Sequence, residues 1–390
     1  MSGKNQCYRI QQQPMDEDAG KNQCFREEQQ PHDVEPTIFN NSYDGVSLRT
    51  LYGVPFVPPA PGAPVVVVAI VICYHNPRVL DDLQTYWNLP GNLGNRRQGL
   101  AFPQVLVHAM ANITNDDAAQ VEGWNTELCL DLQMVANMNP YAQIVIIEAK
   151  DNSNDALCAA VTCAEEKYKA NIISMSWGGS NSRDNIPYDS FFTNSKVIYC
   201  ASSGDTNHVS WPSVLANMMS IGGTSLNAQG THTNAVRTSE YTWSLAGCGF
   251  SSTVLRPAYQ DGVVASSYRS SPDVAMVANP ATGVNIISRG KQIVLGGTSV
   301  SCPIFAGMVS VAVQMRLNAG KTTPLTSVAG SPMDIHVPLY QCLKNTEAYK
   351  RNFYDVQMGK DGVYSAKGGF DQPTGLGVPS WECIASLANL

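Results

Sequence analysis

From about Leu48 onward, apolar residues fall into two recurring patterns. The first is the unbroken run. VVVVAIVICY (Val65–Tyr74) and YAQIVIIEAK (Tyr141–Lys150) read as strands buried on both faces of a parallel sheet. NIISMSW, KVIYCAS, MMSIGGT and GVNIIS predict further strands at 171–177, 196–202, 218–224 and 283–288. The second pattern has helical spacing. It predicts helices in RVLDDLQTYWNL (78–89), in Val121–Met138 up to the Asn139-Pro140 break, in NDALCAAVTCAEEKYKA (154–170) and in SCPIFAGMVSVAVQMRL (301–317). Between Ser225 and Ser271 the pattern reads as loop-rich. Strands alternating with helices predict an α/β fold, a parallel sheet with helices on both faces. No linker divides residues 40–390, so one large domain is expected. In such sheets function gathers at the carboxyl ends of the strands. That brings Trp177-Gly178, Ser203-Gly204-Asp205 and Gly297-Thr298-Ser299 together.

Residues 1–35 are different. They are polar and hold a tandem repeat, GKNQCYRIQQQP (Gly3–Pro14) and GKNQCFREEQQP (Gly20–Pro31). Two copies cannot build a solenoid. The segment reads either as a binding tail or as a duplicated disordered one, and its composition favours the latter. Its start lacks the apolar stretch of a secretory signal. A net charge of −7 without a Lys/Arg cluster argues against nucleic acid as partner. The longest apolar run, Val65–Tyr74, is about half of a membrane span, so no membrane is expected. Eleven cysteines leave at least one without a partner in the chain, and Cys73 and Cys200 lie in strand-like runs as small buried hydrophobes. No CxxC pair suggests a zinc ribbon. The compartment stays undefined.

The chemistry centres on GGTSVSCPIFAGM (Gly296–Met308). A Ser opening an apolar helix sits where main-chain N–H groups and the positive end of the helix dipole stabilise an oxyanion. GGTS also occurs at Gly222–Ser225, but turn-like LNAQGTHTN follows, so Ser225 reads as a structural turn and Ser299 as the nucleophile. Pro303 falls in the first turn of that helix, where Pro is tolerated. No His is followed by Gly, so the base must be something else. TELCLDLQ offers Glu127 and Asp131, i and i+4 on one helix face. By spacing alone they are either two solvated charges or a coupled pair sharing a proton.

GTSVSCP resembles the Ser box of the subtilisin-like clan, and the departures from that clan resemble one family within it. The sedolisins, or serine-carboxyl peptidases, use a Glu base, an Asp behind it on the same helix, and an Asp at the oxyanion hole. The chain is similar to them in TELCLDLQ, ASSGD and GGTSVS, and also in LRTLYGVP, DLQTYWNLP, SMSWGG, MSIGGTSL, TWSLAGCGFSS, RPAYQ, SPDVAMVANPATG and PTGLGVPSW, covering roughly residues 45–385. The resemblance implies a subtilisin-like α/β domain hydrolysing peptide bonds at acidic pH. Ser299 would form the acyl-enzyme, Glu127 and Asp131 would be the base pair, and Asp205 would face the oxyanion. An ionised Asp only accepts, so Asp205 must be protonated to donate. Ser176, Trp177, Gly178 and Gly179 would pair with the substrate backbone, with Ser203 and Gly204 on the opposite wall. For Trp177, core packing is an equal reading.

The resemblance further implies one bound Ca²⁺. It would be held by Asp355, Asp371 and the carbonyls of Val356, Lys367 and Gly369, with Lys367 standing where the family usually has Gly. The family's pro-region is large, and residues 1–35 are too short and polar to be one. The expected partner is a peptide or protein substrate, and the expected state is a monomer. An endopeptidase is the first expectation, with a tripeptidyl aminopeptidase as the alternative. From other classes come a non-catalytic binding module on the same fold and a subtilase whose displaced His is His75 or His108.

Overall fold

The structure is a computed structural model that describes residues 23–24, 27–28, 42–113 and 118–390. The first copy of the tandem repeat lies outside the described residues. Two short strands, β1 (Gln23–Cys24) and β2 (Glu27–Glu28), come from the second copy.

The long apolar runs form the centre of the molecule. β3 (Val67–Cys73) pairs in parallel with β5 (Gln143–Ala149) on one side and with β6 (Ile172–Met175) on the other. β8 (Ile198–Ser202) and β10 (Met219–Gln229) extend the sheet beyond β6, and β4 (Gln104–Ala109) closes the far edge beside β5. All these pairings are parallel, so every carboxyl end faces the same side. β10 splits its partners lengthwise. Its first half pairs in parallel with β14 (Val274–Val277), its second half antiparallel with β11 (Val236–Thr242).

Ser225 therefore lies inside a strand, not in a turn. Its hydroxyl accepts from Asn279 Nδ2 at 2.7 Å. The expected loop-rich stretch up to Ser271 likewise contains β11 and the pair β12 (Gly249–Leu255) and β13 (Tyr268–Ser271). Polar alternation in SLNAQ and VRTSEYT hides half-solvated antiparallel strands. Outside the sheet, β7 (Trp177–Ser180) pairs with β9 (Ser210–Trp211), and β15 (Val284–Ser288) forms a hairpin with β16 (Lys291–Gly296).

Six helices matter for the site: α1 (Gly45–Tyr52), α2 (Val79–Trp87), the single turn α3 (Leu93–Arg96), α4 (Ala118–Met138), α5 (Asn154–Glu166) and α6 (Thr298–Asn318). α5 packs on β3 and β5, while α6 runs along β6, β8, β10 and β14 with α4 against it. α6 is long and apolar enough to cross a membrane by length and composition, but 89% of its apolar window is buried in the fold. It is the core helix. Gly307 allows the close approach of α4, since a Cβ there would meet Met138 Cβ at 2.5 Å. Cys73 and Cys200 are buried as small hydrophobes in β3 and β8, as expected.

A buried ion pair ties β10 to β13 and β14. Arg269 makes two bonds to Asp273, Nη1–Oδ1 at 3.0 Å and Nη2–Oδ2 at 2.7 Å. Asp273 also accepts from the Ser220 amide at 2.8 Å. Burial alone would raise the Asp273 carboxyl, but Arg269 and His336 hold it well below the usual range. The sign follows: this stability is present above the ordinary carboxylate pKa and lost as pH falls through the depressed one. Removing one partner of such a pair costs about 3–5 kcal/mol. Asp273→Asn should therefore unfold at markedly lower urea, with an unchanged midpoint counting against the pair.

Candidate active site

The nucleophile is placed by a turn that requires glycine. Gly297 has φ of 115°, which lets β16 swing directly into α6. Ser299 becomes the second helical residue, so its N–H has no intrahelical acceptor. Pro303 lies in the second turn of α6, one turn later than expected, because the helix already begins at Thr298. Its missing N–H leaves the Ser299 carbonyl without its usual helical donor. Ser176 Oγ lies 3.5 Å from that carbonyl.

Ser176, directly after β6, touches both Asp131 and Ser299. Its hydroxyl donates to Asp131 Oδ1 at 2.6 Å, and its carbonyl accepts from Ser299 Oγ at 3.4 Å. The carboxylate of α4 and the nucleophile of α6 are thereby joined through one residue. Glu127 lies one turn before Asp131 on α4. Glu127, Asp131 and Ser299 are all completely buried, so the reading of two solvated charges fails. Burial pushes the Asp131 carboxyl well above the usual range, against the lowering effect of the Ser176 hydroxyl. A buried carboxyl that holds its proton avoids the cost of an unpaired charge.

Asp205 follows β8 and reaches the start of α6. Its Oδ1 accepts from both the Thr298 amide and the Thr298 hydroxyl, each at 2.8 Å. The carboxyl is thus fixed beside the Ser299 amide. Ser203 and Gly204 pack beneath it. The Gly204 amide donates to Thr298 Oγ1 at 3.1 Å, and the Ser203 carbonyl accepts from Ser210 Oγ at 2.9 Å. The Ser203 hydroxyl is buried without a partner among the described residues. Trp177 is fully buried, donates from Nε1 to the Val71 carbonyl at 2.8 Å and packs on Trp211. Its side chain is core, and only its backbone belongs to the β7 edge. β7 is the middle of three strands: one edge pairs with β1 at Gly178, and the other with β9, Gly179 opposite Trp211.

Sequence reasoning had no signal for the Ser176 hydroxyl as the holder of Asp131. For Thr298 there was one: a hydroxyl directly before the nucleophile, within reach of a carboxyl expected nearby. His75 and His108 have other partners. His75 Nδ1 lies 2.7 Å from Glu148, and His108 Nδ1 lies 3.1 Å from Lys167 Nζ.

Some of the expected calcium residues are in contact: Asp355 with Gly369, and Asp371 with Lys367. Asp355 Oδ1 accepts from Tyr349 Oη at 2.9 Å and the Gly369 amide at 3.0 Å; Asp371 accepts from the amides of Lys367 at 2.9 Å and Thr374 at 2.8 Å. Among the described hydrogen bonds, none is accepted by the carbonyls of Val356, Lys367 or Gly369. Two carboxylates with three uncommitted carbonyls are hard oxygen donors of the kind Ca²⁺ takes. No group of three or more His, Cys, Asp or Glu among the described residues is placed to hold a metal.

The sequence profile of the Subtilase family matches residues 108–364, well over half of the chain. The chain is 27% identical over 327 residues to kumamolisin from Bacillus sp. (strain MN-32), covering 72% of this chain and 54% of that protein. It is 30% identical over 187 residues to sedolisin from Pseudomonas sp. (strain 101), covering 45% and 29%. It is 26% identical over 206 residues to tripeptidyl-peptidase 1 from Dictyostelium discoideum, covering 47% and 31%. The chain thus spans about half, or less, of the length of these relatives. In fold it is similar to Pseudomonas sedolisin, a serine-carboxyl proteinase solved with two molecules of pseudo-iodotyrostatin. That match has a TM-score of 0.71 and 22% identity, covering 90% of this chain and 98% of that one. The chain belongs to the subtilase family, and it is similar within that family to sedolisin and kumamolisin.

Proposed function

We propose that the chain hydrolyses peptide bonds at acidic pH through an acyl-enzyme on Ser299. The observation that carries this reading is the Asp131–Ser176–Ser299 chain of contacts beside the Asp205–Thr298 pair. Ser299 Oγ attacks the scissile carbonyl while Glu127 takes its proton. Asp131 keeps the other proton of the pair, so only one negative charge is buried. The Ser299 amide and a protonated Asp205 face the developing oxyanion. Glu127 then returns the proton to the leaving amine as the C–N bond breaks. Water hydrolyses the ester by the same steps in reverse order.

The test is cleavage of a peptide library at about pH 4, near the ordinary carboxyl pKa, and near neutrality, with Ser299→Ala as control. Ser299-dependent cleavage at the acidic pH is expected. Absence at both pH values would refute the enzyme reading and leave a peptide-binding module. Cleavage confined to neutral pH would refute the protonated Asp205. The finer assignment is internal cleavage. The second is release of N-terminal tripeptides, a reading to which similarity with tripeptidyl-peptidase 1 adds weight. Mass spectrometry of the products separates them.

We also propose that Asp355, Asp371 and the carbonyls of Val356, Lys367 and Gly369 hold Ca²⁺, which would cross-link this loop. Burial raises the Asp371 carboxyl to about 6. Without metal, the stability linked to it is present below the ordinary carboxylate pKa and lost as pH rises through about 6. Ca²⁺ binds the ionised form, so its stabilisation should grow across the same window. At a hundredfold excess over Kd it amounts to about 2.7 kcal/mol. Calorimetry with Ca²⁺ and with a chelator should show this for the parent and not for Asp371→Asn. Equal unfolding temperatures with and without Ca²⁺ would exclude the site.

A further inference from the structure

Asp361 is a buried carboxyl with no part in the proposed chemistry. It lies in a short hairpin, where Lys360–Asp361 pairs with Tyr364–Ser365. It is 1% exposed, and its Oδ2 has no hydrogen-bond partner among the described residues. What covers it is the loop that follows Asp205, together with the segment 243–249. The Asn207 amide, with Nδ2 turned toward the acceptors, spans both. It reaches the Ser244 carbonyl at 2.8 Å and Asp361 Oδ1 at 3.3 Å. Asn207 stands two residues after Asp205 with φ of 61°, a left-handed conformation that Asn tolerates better than most side chains. The Cys248 thiol faces the same carboxyl.

The segment that Asn207 grips meets the Asp205 loop backbone to backbone. The Asn207 main-chain amide donates to the Leu245 carbonyl at 3.2 Å, and the Gly247 amide donates to the Gly204 carbonyl at 2.6 Å. A Cβ on Gly247 would sit 2.3 Å from the Ser203 carbonyl oxygen and 2.5 Å from that of His208, so only glycine permits this approach. On its other side the loop is tied to α6. The Gly204 amide donates to Thr298 Oγ1 at 3.1 Å, and Asp205 Oδ1 accepts from the Thr298 amide at 2.8 Å. The contacts therefore run without a break from the hairpin through Asn207 to the residue before the nucleophile.

We infer that Asp361 is a positioning residue for Asp205: through Asn207 and the segment 244–248 it holds the Asp205 loop against the start of α6. Its effect on turnover rests on the peptidase reading, but its hold on the loop does not. Burial raises the Asp361 carboxyl to about 7, against the lowering effect of the Cys248 thiol. The other titratable groups around it are the Tyr364 phenol opposite it in the hairpin, Asp371, whose charge acts on Cys248, and the exposed Lys360 and His208. At acidic pH Asp361 is neutral, so it can stay buried without the cost of an unpaired charge. The hold is fully present below the ordinary carboxyl pKa and lost as pH rises through about 7.

Two substitutions in the full-length chain test this. Asp361→Asn keeps an acceptor for Asn207 and cannot ionise. Asn207→Gly removes the link while suiting the left-handed backbone. In a Ser299→Ala background, amide exchange is followed at 203–208 and 244–248 and corrected for its intrinsic pH dependence. Between about pH 4 and about pH 8, opening of both segments should rise at least about tenfold in the parent and stay level in Asp361→Asn. Asp205 ionises in both chains, so the difference between them belongs to Asp361. Asn207→Gly should open 203–208 already at the acidic pH, and adding Asp361→Asn should leave that segment unchanged. With Ser299 intact, Asn207→Gly should lower kcat at acidic pH by about 10- to 100-fold with KM nearly unchanged, because only the transition state uses the oxyanion contact. Equal exchange in the parent and in Asp361→Asn at both pH values would overturn the inference. So would hydrolysis by Asn207→Gly with the kcat of the parent. Exchange that depends on Asp361 as expected, with no Ser299-dependent hydrolysis in any chain, would uphold the hold on the loop and refute the peptidase reading instead.

Discussion

Replacing Glu127 by Gln should lower kcat/KM for peptide hydrolysis by about 10²–10⁴-fold, the range expected for a general base. Gln is isosteric and can still accept a hydrogen bond, but it cannot take the Ser299 proton. The helix should remain in place, because Glu127 lies in a part of α4 pinned by Asp131 to Ser176. Adding Ser299→Ala to Glu127→Gln should cost little beyond Ser299→Ala alone, since groups acting as one unit are not additive. The controls are the two histidines that a displaced-histidine subtilase would need. His75 is bound to Glu148 and His108 sits by Lys167 on the exposed edge strand β4, so His75→Ala and His108→Ala should leave kcat/KM within a few-fold. A silent Glu127→Gln together with a severe His75→Ala would reverse the assignment of the base. Steady-state kinetics on the five variants, each checked by circular dichroism, decides it.

That Glu127 and Asp131 could be expected inside the fold is a matter of burial. Leu128, Leu130 and Leu132 interleave the two carboxylates, and a surface helix would not place large apolar residues on all sides. β3, β5 and β8 were legible for the same reason, since strands buried on both faces leave unbroken apolar runs. What escaped has weaker or opposite patterning. The second half of β10 and all of β11 alternate polar residues with few large apolar ones, and β4 is an exposed edge. Pairing by β1 and β2 left no trace in composition, because a strand added by main-chain bonds needs no apolar side chains. Within the site, residue types could be read but not their partners. Ser176 was expected to offer its backbone to substrate. Its hydroxyl also holds Asp131, a contact between the end of β6 and α4 that only the packing of the two elements reveals.

Asp205 separates the serine-carboxyl mechanism from a subtilase that uses an amide at the oxyanion hole. Asp205→Ala removes a donor and should cost about 10²–10³-fold in kcat. It also removes the acceptor of the Thr298 amide and hydroxyl, so part of that loss comes from a loosened start of α6. Asp205→Asn isolates the chemistry. Its side-chain oxygen can keep both Thr298 donors, and its NH₂ donates at every pH. On the proposed mechanism the parent needs Asp205 protonated, so its activity should fall as pH rises and that proton is lost. In Asp205→Asn this limb disappears, and the pH profile should extend toward neutrality until the Glu127–Asp131 pair loses its shared proton. Because Asp131 is held protonated by burial, that second limit lies above the ordinary carboxyl range. The expected result is an Asn variant that approaches or exceeds the parent near neutral pH and falls below it at acidic pH. A pH profile for Asp205→Asn that superimposes on the parent at reduced height would show that the protonation of Asp205 does not set the acidic optimum.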